Sequence, residues 1–315
     1  MATRVFIDGR EGTTGLRIFD RLSERADVEL LILPESSRKD PEARRACLHE
    51  ADIAILCLPD AASRESVALA EGSRVRILDT STAHRTCPGW AYGFPELSPA
   101  YRSAIANGRR VAVPGCHASG FIAAVTPLLA NGLIERDALL SCFSLTGYSG
   151  GGKKMISQYE DSSRSAELDS PRQYALSQQH KHLPEMQHVP GLANAPVFSP
   201  VVADYYCGME VTLPLFAAQL RIRNHPMEAL RACLEAHYAG SPVVRVLSAE
   251  ETEQIAMIGS NNLAGHDGMQ LMVCGNDERM LLVARFDNLG KGSSGAALQC
   301  LNLMMNVPET TGLHL

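Results

Sequence analysis

Several signals that define common protein classes are missing from this chain of 315 residues. Its nine cysteines contain no Cys-x-x-Cys pair, which argues against a structural zinc site. No apolar run approaches the roughly 20 residues that cross a bilayer. With a net charge of −6 and no long block of Lys or Arg, the chain also lacks the positive surface that nucleic acid or an anionic membrane requires. We therefore expect no metal, no nucleic acid and no membrane among its ligands.

The cysteine pattern and the N-terminal residues indicate a reducing compartment. An odd number of scattered cysteines is typical of proteins that keep their thiols reduced. Residues 1–9 lead directly into a strand pattern and contain no apolar segment of the kind that forms a signal peptide. We therefore expect a cytoplasmic protein. Its 45% hydrophobic and 20% charged residues are typical of a globular chain, which is long enough for two domains.

The first third of the chain alternates short apolar runs with helical patterns. The apolar runs predict buried strands at 5–7, 28–33, 53–58, 75–78 and 111–113. The helical patterns lie between them at 13–25, 41–50, 61–71 and 98–107. Asp40 and Pro41 are typical of the N-cap and first position of the second helix. This alternation predicts an α/β fold with a parallel sheet and right-handed crossovers.

After about residue 115 the strand patterns become longer. They lie at 138–148, 205–220, 270–275 and 279–286, with a turn at 275–278 that predicts a hairpin. We therefore predict a second domain of α+β type with a mixed or antiparallel sheet. The polar segment 158–172 is the best candidate for a mobile or partner-facing loop. An apolar face over 293–306 predicts a final helix.

Three glycines with G-x-x-G-x-x-G spacing lie between the first predicted strand and helix. They are Gly9, Gly12 and Gly15, with Thr13 and Thr14 in the same turn. Glycines at this place allow a tight turn and let a pyrophosphate approach the N-terminus of the helix, where free N–H groups favour an anion. We therefore predict a dinucleotide-binding turn. The alternative is an ordinary strand-to-helix connection that uses glycine.

The residues after the second predicted strand bear on the choice between NAD and NADP. Glu35 lies where an acidic side chain holds the 2′-hydroxyl of NAD. Ser36, Ser37, Arg38 and Lys39 instead offer hydrogen-bond donors and positive charge for a 2′-phosphate. The cluster of four favours NADP(H), with Glu35 turned away from the cofactor. The alternative is a solvated polar loop.

Cys116 differs from the other cysteines in its local sequence. It follows Pro114 and Gly115 at the end of a predicted strand, and a helix pattern begins near Ser119. The dipole at a helix N-terminus stabilises a thiolate, which is the nucleophilic form of cysteine. We therefore predict a nucleophile, the alternative being a buried core thiol. His117 is a weaker candidate for catalysis because neighbouring side chains usually point apart.

A second group of titratable residues follows at 180–185. His180 and His182 are candidates for accepting the thiol proton and returning it to an oxygen, because a neutral imidazole does both near neutral pH. Pro184 argues against a simple helix in this segment, so His182 and Glu185 are expected to meet across a turn. Two surface histidines are the alternative.

Two glycine-rich segments are candidate anion sites. Ser149, Gly150, Lys153 and Lys154 lie in the first, which offers backbone N–H groups, a hydroxyl and two ammonium groups for a phosphoryl or carboxylate group. The alternative is a flexible basic loop. The second segment, 287–295, leads into the predicted final helix.

These segments together resemble the N-acetyl-gamma-glutamyl-phosphate reductase family, in its shorter type 2 subclass. The resemblance is carried by 114–116 (PGC), 180–185 (HKHLPE) and 287–295 (DNLGKGSSG), supported by 79–85 (DTSTAHR) and 92–97 (YGFPEL). It extends from Gly9 to the final helix and depends on the joint order of the motifs.

The resemblance implies a specific reaction in arginine biosynthesis. Cys116 attacks N-acetyl-L-glutamyl 5-phosphate and expels phosphate, and hydride from NADPH reduces the resulting thioester to N-acetyl-L-glutamate 5-semialdehyde. His182 is implied as the acid/base and Glu185 as the residue that orients it, with His180 the less favoured choice for the acid/base.

The resemblance also implies the domain organisation. The final helix completes the Rossmann-like dinucleotide domain, giving 1–115 with 291–315, and 116–290 form the catalytic, substrate and oligomerisation domain. A homo-oligomer, dimer or tetramer, is therefore expected. Three further residues are implied near the nicotinamide end of the cofactor, namely Asn288, Lys291 and Gly292.

Two other functions remain as alternatives. An aspartate-semialdehyde dehydrogenase-like enzyme shares the fold and chemistry, although the segment 180–185 speaks against it. A non-catalytic nucleotide-binding redox sensor would use Cys116 as an oxidisable switch and would need neither His182 nor an anion site.

Overall fold

The computed structural model describes residues 2–315, which form two units with a sheet in each. The first unit contains the residues through Pro114 together with Ser293–Leu313, and the second contains Gly115–Gly292 together with His314–Leu315. Across the described residues, no helix combines the length and the apolar character that crossing a membrane requires.

Helices and strands alternate through most of the chain. Up to Pro114 they are β1 (Thr3–Asp8), α1 (Thr13–Ser23), β2 (Val28–Leu31), α2 (Pro41–Glu50), β3 (Ile53–Leu56), α3 (Asp60–Leu69), β4 (Arg76–Asp79), β5 (Ala91–Tyr92), α4 (Pro99–Asn107) and β6 (Arg110–Ala112). From Gly115 to Gly292 they are α5 (Cys116–Ala130), β7 (Ser141–Gly147), α6 (Gly152–Glu160), β8 (Arg172–Gln173), α7 (Leu183–His188), β9 (Val197–Ala203), β10 (Met209–Phe216), α8 (Pro226–Tyr238), β11 (Val244–Val246), α9 (Ala249–Glu253), β12 (Met269–Gly275) and β13 (Arg279–Phe286). The last helix is α10 (Gly295–Met305).

The first unit is a parallel sheet with helices on both faces. Its strand order is β2-β1-β3-β4-β6-β5. Val5 and Ile7 pack in one core with α1, α4 and α10, whereas Phe6 packs in another with α2 and α3. Strands covered on both faces consist of nearly continuous apolar runs, which is why the sequence predicts them well. The predicted Rossmann-like α/β fold is confirmed.

Local capping explains where α2 and α4 begin. The Asp40 side chain accepts a hydrogen bond from the Glu42 backbone N–H at 3.0 Å, and Pro41 occupies the first helical position as predicted. Ser98 accepts from the Tyr101 N–H in the same way, and Pro99 begins α4. Each cap satisfies an N–H group that has no partner within the helix.

The second unit contains a mixed sheet, as predicted. The strand order is β11-β12-β13-β10-β7-β9-β8; β11 with β12 and β7 with β9 are parallel pairs, and the remaining pairs are antiparallel. The predicted hairpin is β12–β13. Helix α5 packs closely against β10 and β13 because Gly120 has no side chain. A Cβ atom there would lie only 2.7 Å from the Val211 side chain and 3.0 Å from Phe286.

The face of this sheet away from α5 carries exposed apolar side chains. Phe143 on β7, Val197 on β9, Phe216 on β10 and Leu281 on β13 lie on one face by the strand register, and Val197 and Phe216 are 61% and 62% exposed. An apolar sheet face of this kind is typical of a surface that another protein covers.

Three segments differ from the sequence prediction. The sequence does not predict β9, because Pro200 lies inside it and proline normally argues against a central strand. Helix α8 carries no strong sequence signal. The segment 158–172, predicted to be a mobile or partner-facing loop, includes the end of α6 and the start of β8, and Arg164 within it pairs with Asp169 and Asp204, each at 2.6 Å.

Candidate active site

The glycine turn, defined as residues 9–15, has no room for side chains at two positions. Gly9 has φ +87°, and a Cβ atom there would lie 2.4 Å from the Cys57 carbonyl oxygen. A Cβ atom at Gly15 would lie 2.5 Å from the Gly9 carbonyl oxygen. The turn therefore packs tightly on β3 and α1, which brings the backbone of Gly12 to the start of α1 as a dinucleotide turn requires.

Polar groups at the start of α1 fit an anionic ligand. The Thr13 hydroxyl is buried and has no hydrogen-bond partner among the described residues. The neighbouring Thr14 hydroxyl shares a hydrogen bond with Ser293 at 3.0 Å, which connects the glycine turn to the segment that leads into α10. An orphaned hydroxyl beside free helix N–H groups is suited to a pyrophosphate oxygen.

A cavity of about 510 Å³ opens beside the glycine turn. Apolar residues of β2 and Phe19 form part of its wall, and Glu35, Arg38 and Lys39 form another part. The Glu35 side chain is 84% exposed and forms an ion pair with Arg38 at 3.8 Å. Ser36 and Ser37 lie in the same short turn but do not appear among the residues that form the wall.

A buried ionic network supports the glycine turn and was not predicted. The Asp8 carboxylate, at the end of β1, accepts hydrogen bonds from the Arg44 guanidinium at 3.1 and 3.2 Å and from the Ser66 hydroxyl at 2.6 Å. These side chains come from β1, α2 and α3. The only sign of the network within one segment of the sequence is the acidic residue directly before Gly9. Removing one partner of such a buried pair leaves an uncompensated charge.

Cys116 is the first residue of α5, three residues before the predicted start of that helix. Its backbone is held by neighbours, because the Glu185 carboxylate accepts a hydrogen bond from the Gly115 N–H at 3.0 Å. A Cβ atom at Gly292 would lie 2.9 Å from the Cys116 Cβ, so the segment before α10 packs directly against the nucleophile. The position favours a thiolate through the dipole of a 15-residue helix.

Other thiols have the opposite environment. Burial raises the pKa of the Cys57 thiol to about 12. Burial also raises the pKa of the Cys142 thiol. Both thiols therefore stay protonated and unreactive near neutral pH, as expected of core cysteines.

His180 and His182 both lie beside His117. The ring centroids of His180 and His182 are 4.7 Å apart, and each lies within 5.6 Å of the His117 ring. Pro184 lies in the first turn of α7, where its missing N–H has no partner to lose, and this helix begins at Leu183, directly after His182. Glu185 is in the same first turn and is buried.

His117, the weaker candidate in the sequence, and Tyr174, which no motif marks, also belong to this site. His117 Nδ1 and the Ser144 hydroxyl share a hydrogen bond at 2.7 Å, and His117 Nε2 and the Tyr174 hydroxyl share another at 2.7 Å. Burial, with a smaller effect from His180 and Lys181, lowers the pKa of His117 to about 3. We call Cys116, His117, Tyr174, His180 and His182 the Cys116 cluster.

The predicted anion residues are divided between buried and exposed positions. The Asn288 amide donates to the buried Ser149 hydroxyl at 3.0 Å and accepts from the Gly208 N–H at 2.9 Å, and Gly150 lies beside Asn288. Lys153 and Lys154 are exposed in the first turn of α6. Lys291 is 2% exposed and lies in the segment before α10. In the described part of the chain, no group of His, Cys, Asp or Glu side chains could hold a metal ion.

Known proteins resemble this chain over most of its length. A family model described as semialdehyde dehydrogenase, dimerisation domain, matches residues 116–288. The N-acetyl-gamma-glutamyl-phosphate reductase of Brucella anthropi is 47% identical over 309 residues, which cover 97% of this chain and 99% of that protein.

Solved structures with the same fold are more distant in sequence. Aspartate semialdehyde dehydrogenase II from Vibrio cholerae has a TM-score of 0.74 at 16% identity and covers 97% of this chain and 99% of its own. Aspartate semialdehyde dehydrogenase with NADP from Candida albicans has a TM-score of 0.68 at 15% identity, with the same coverage. At these identities the likeness shows the fold alone. The sequence match over nearly the whole chain shows that this protein belongs to the N-acetyl-gamma-glutamyl-phosphate reductase family.

Proposed function

We propose that the protein reduces N-acetyl-L-glutamyl 5-phosphate to N-acetyl-L-glutamate 5-semialdehyde with release of phosphate, a step of arginine biosynthesis. The observation that carries the proposal is the position of Cys116 at the start of α5, where the His180 and His182 rings lie beside the adjacent His117 and the buried Glu185 carboxylate accepts from the adjacent Gly115 N–H. A relative that is 47% identical over 97% of this chain is named for this activity.

The first half of the reaction uses Cys116 as a nucleophile. Its sulfur attacks the acyl carbon, a C–S bond forms and the C–O bond to phosphate breaks, which leaves a thioester and inorganic phosphate. His182 accepts the thiol proton and returns a proton as negative charge develops on the carbonyl oxygen in the second half. The hydrogen bond that Glu185 accepts from the Gly115 N–H holds the turn that presents the sulfur.

The second half needs a hydride donor, which NADPH would be when bound. Once the acyl carbon is reduced, the C–S bond breaks, the semialdehyde leaves and a proton from His182 restores the Cys116 thiol. The glycine turn with Thr13 and Thr14 would hold the cofactor's pyrophosphate, and the family resemblance assigns Asn288, Lys291 and Gly292 to its nicotinamide end. Residues 1–115 with 291–315 form the dinucleotide domain in this proposal, and 116–290 form the substrate domain.

Phosphate recognition is assigned to the first glycine-rich segment. Ser149 and Gly150 lie beside the Asn288 amide, and Lys153 and Lys154 place two positive charges in the next turn of the chain. Charged donors of this kind stabilise a departing phosphate.

The choice of NADPH over NADH depends on Arg38, with Ser36 and Ser37 as further donors. Arg38 and Lys39 form part of the cavity wall, and Glu35 beside them is paired with Arg38. We expect Arg38→Ala to weaken NADPH binding by about 10-fold, because one charge-assisted hydrogen bond is lost, and to change NADH binding little.

Calorimetric titration with both cofactors measures this difference directly. Glu35→Ala is the matched control, since it removes the acidic partner of Arg38 and is expected to leave NADPH binding as tight or tighter. An equal loss for NADPH and NADH in Arg38→Ala would contradict the assignment of the 2′-phosphate site.

A steady-state assay tests the proposed substrate. N-acetyl-L-glutamyl phosphate and L-aspartyl phosphate are each offered with NADPH and with NADH, and oxidation of the cofactor is followed. We expect the acetylated substrate with NADPH to have the largest kcat/KM. Equal or better turnover of aspartyl phosphate would overturn the substrate assignment.

A second copy of the chain is proposed to cover the exposed sheet face. The apolar side chains of Phe143, Val197, Phe216 and Leu281 lie within residues 116–288, the part of the chain that matches a dimerisation domain. Sedimentation velocity should therefore show a dimer or tetramer, and a monomer at micromolar concentration would contradict this arrangement. The cytoplasm is the proposed location, in keeping with a biosynthetic role and reduced thiols.

A further inference from the structure

Three side chains form a hydrogen-bonded row next to the nucleophile. Ser144 on β7, His117 on α5 and Tyr174 after β8 are joined through the two ring nitrogens of His117, each bond being 2.7 Å long. Ser144 and His117 are buried, with 0% and 3% of their surface exposed. We call these residues the tyrosine row.

The charge state of His117 limits how the protons in this row are arranged. Because burial keeps the His117 imidazole neutral, the ring carries one N–H and one bare nitrogen. Either Tyr174 donates to Nε2 and Nδ1–H donates to Ser144, or Ser144 donates to Nδ1 and Nε2–H donates to Tyr174. Only the second arrangement leaves the Tyr174 hydroxyl proton available to a further acceptor.

The surroundings of Tyr174 favour the second arrangement. Burial, and after it the negative charge of the Cys116 thiolate, raises the pKa of the Tyr174 phenol, so the phenol stays protonated. A neutral phenol near a thiolate lowers its electrostatic energy by turning its proton, and not its lone pairs, toward that charge. In this arrangement the Tyr174 hydroxyl proton is free to turn toward Cys116, which directly precedes His117 in α5.

We propose that the Tyr174 hydroxyl donates a hydrogen bond to the carbonyl oxygen of the acyl group on Cys116, and that His117 and Ser144 are positioning residues that aim this hydroxyl. The inference rests on the thioester chemistry proposed above. The carbonyl oxygen gains negative charge when the sulfur attacks and again when hydride adds to the thioester. A donor held in place before the reaction stabilises that charge without reorganisation. His182 supplies the proton, and Tyr174 supplies a hydrogen bond.

The first test is Tyr174→Phe, which removes the hydroxyl and keeps the ring. We expect kcat to fall by about 10²-fold with little change in KM, which is the usual effect of losing one donor to an oxyanion. Tyr238→Phe is the matched control. It removes the hydroxyl of a different, buried tyrosine, which donates to the Ala123 carbonyl oxygen on α5, and it should keep kcat near the wild-type value.

The second test measures which ring nitrogen of His117 carries the proton in the wild-type protein. Nitrogen-15 NMR of selectively labelled histidine distinguishes the two neutral tautomers, and we expect the His117 proton on Nε2. In Ser144→Ala, which removes the donor to Nδ1, we expect kcat to fall by about 10-fold or more while KM stays close to wild type, because the hydroxyl is no longer aimed.

The outcomes separate this inference from the proposed function. A wild-type enzyme that does not reduce N-acetyl-L-glutamyl phosphate overturns the proposed function. An active wild-type enzyme whose Tyr174→Phe variant keeps the kcat of Tyr238→Phe overturns only the role of Tyr174. A His117 proton on Nδ1, or a Tyr174→Phe variant in which KM rises and kcat is kept, also overturns it.

Discussion

Cys116→Ser is expected to abolish reduction, with kcat lower by about 10⁴-fold or more, while NADPH still binds with nearly wild-type affinity. A serine hydroxyl at the start of α5 is not ionised near neutral pH and does not replace the thiolate in attack on the acyl phosphate. Steady-state turnover together with fluorescence titration of NADPH measures both quantities.

Cys233→Ser is the matched control for this substitution. Its sulfur donates to the Pro127 carbonyl oxygen at 3.5 Å, and a serine hydroxyl can keep that bond, so turnover should be unchanged. Near-normal turnover in Cys116→Ser would contradict the thioester route. It would favour a redox sensor, whose ligand binding and basic function do not require a nucleophile at this position.

His182→Asn is expected to lower kcat by about 10²–10⁴-fold, with a modest change in KM, because the group that moves the proton is lost. Asparagine keeps the polarity of the site and approximately the size of the ring. Burst measurements of phosphate release show whether formation of the thioester is slowed.

His180→Asn is the natural comparison, since the His180 and His182 rings are 4.7 Å apart in the same cluster. We expect it to have the smaller effect on kcat. A large loss confined to His180→Asn would assign the acid/base role to His180 and contradict the present assignment.

The fold is largely predictable because its physical causes are local. Alternate residues of β1 and β3 enter the cores on opposite faces of the first sheet, and such strands leave continuous apolar runs in the sequence. Asp40 and Pro41 mark the start of α2 for the same reason, since capping is an interaction of neighbours. The sequence does not predict strand β9, because Pro200 interrupts its strand pattern. In the structure β9 pairs with β7 and β8 on its two sides.

The sequence predicts only those site residues whose signal lies within one short segment of the chain. Cys116 stands out through its Pro-Gly turn, and Gly9 through its spacing from the other glycines. The tyrosine row has no such signal, because Ser144 and Tyr174 are 27 and 57 residues from His117 and meet it only through packing. His117, although adjacent to Cys116 in the sequence, makes its hydrogen bonds to Ser144 and Tyr174.

The Asp8–Arg44–Ser66 network was missed for the same reason. Its members are 36 and 58 residues from Asp8 and come together beneath the glycine turn only when α2 and α3 pack on the sheet. Pairing of charges across such distances depends on the tertiary structure and leaves no spacing to detect in a single sequence.

The thioester on Cys116 is tested most directly by isolating it. The protein is mixed with N-acetyl-L-glutamyl phosphate in the absence of NADPH, quenched in acid and analysed by intact-mass and peptide mass spectrometry. We predict that one N-acetylglutamyl group is added per chain on the peptide containing Cys116, with one equivalent of phosphate released, and that Cys116→Ser shows neither. Phosphate release without a mass increase on Cys116, or acylation of another residue, would contradict the account.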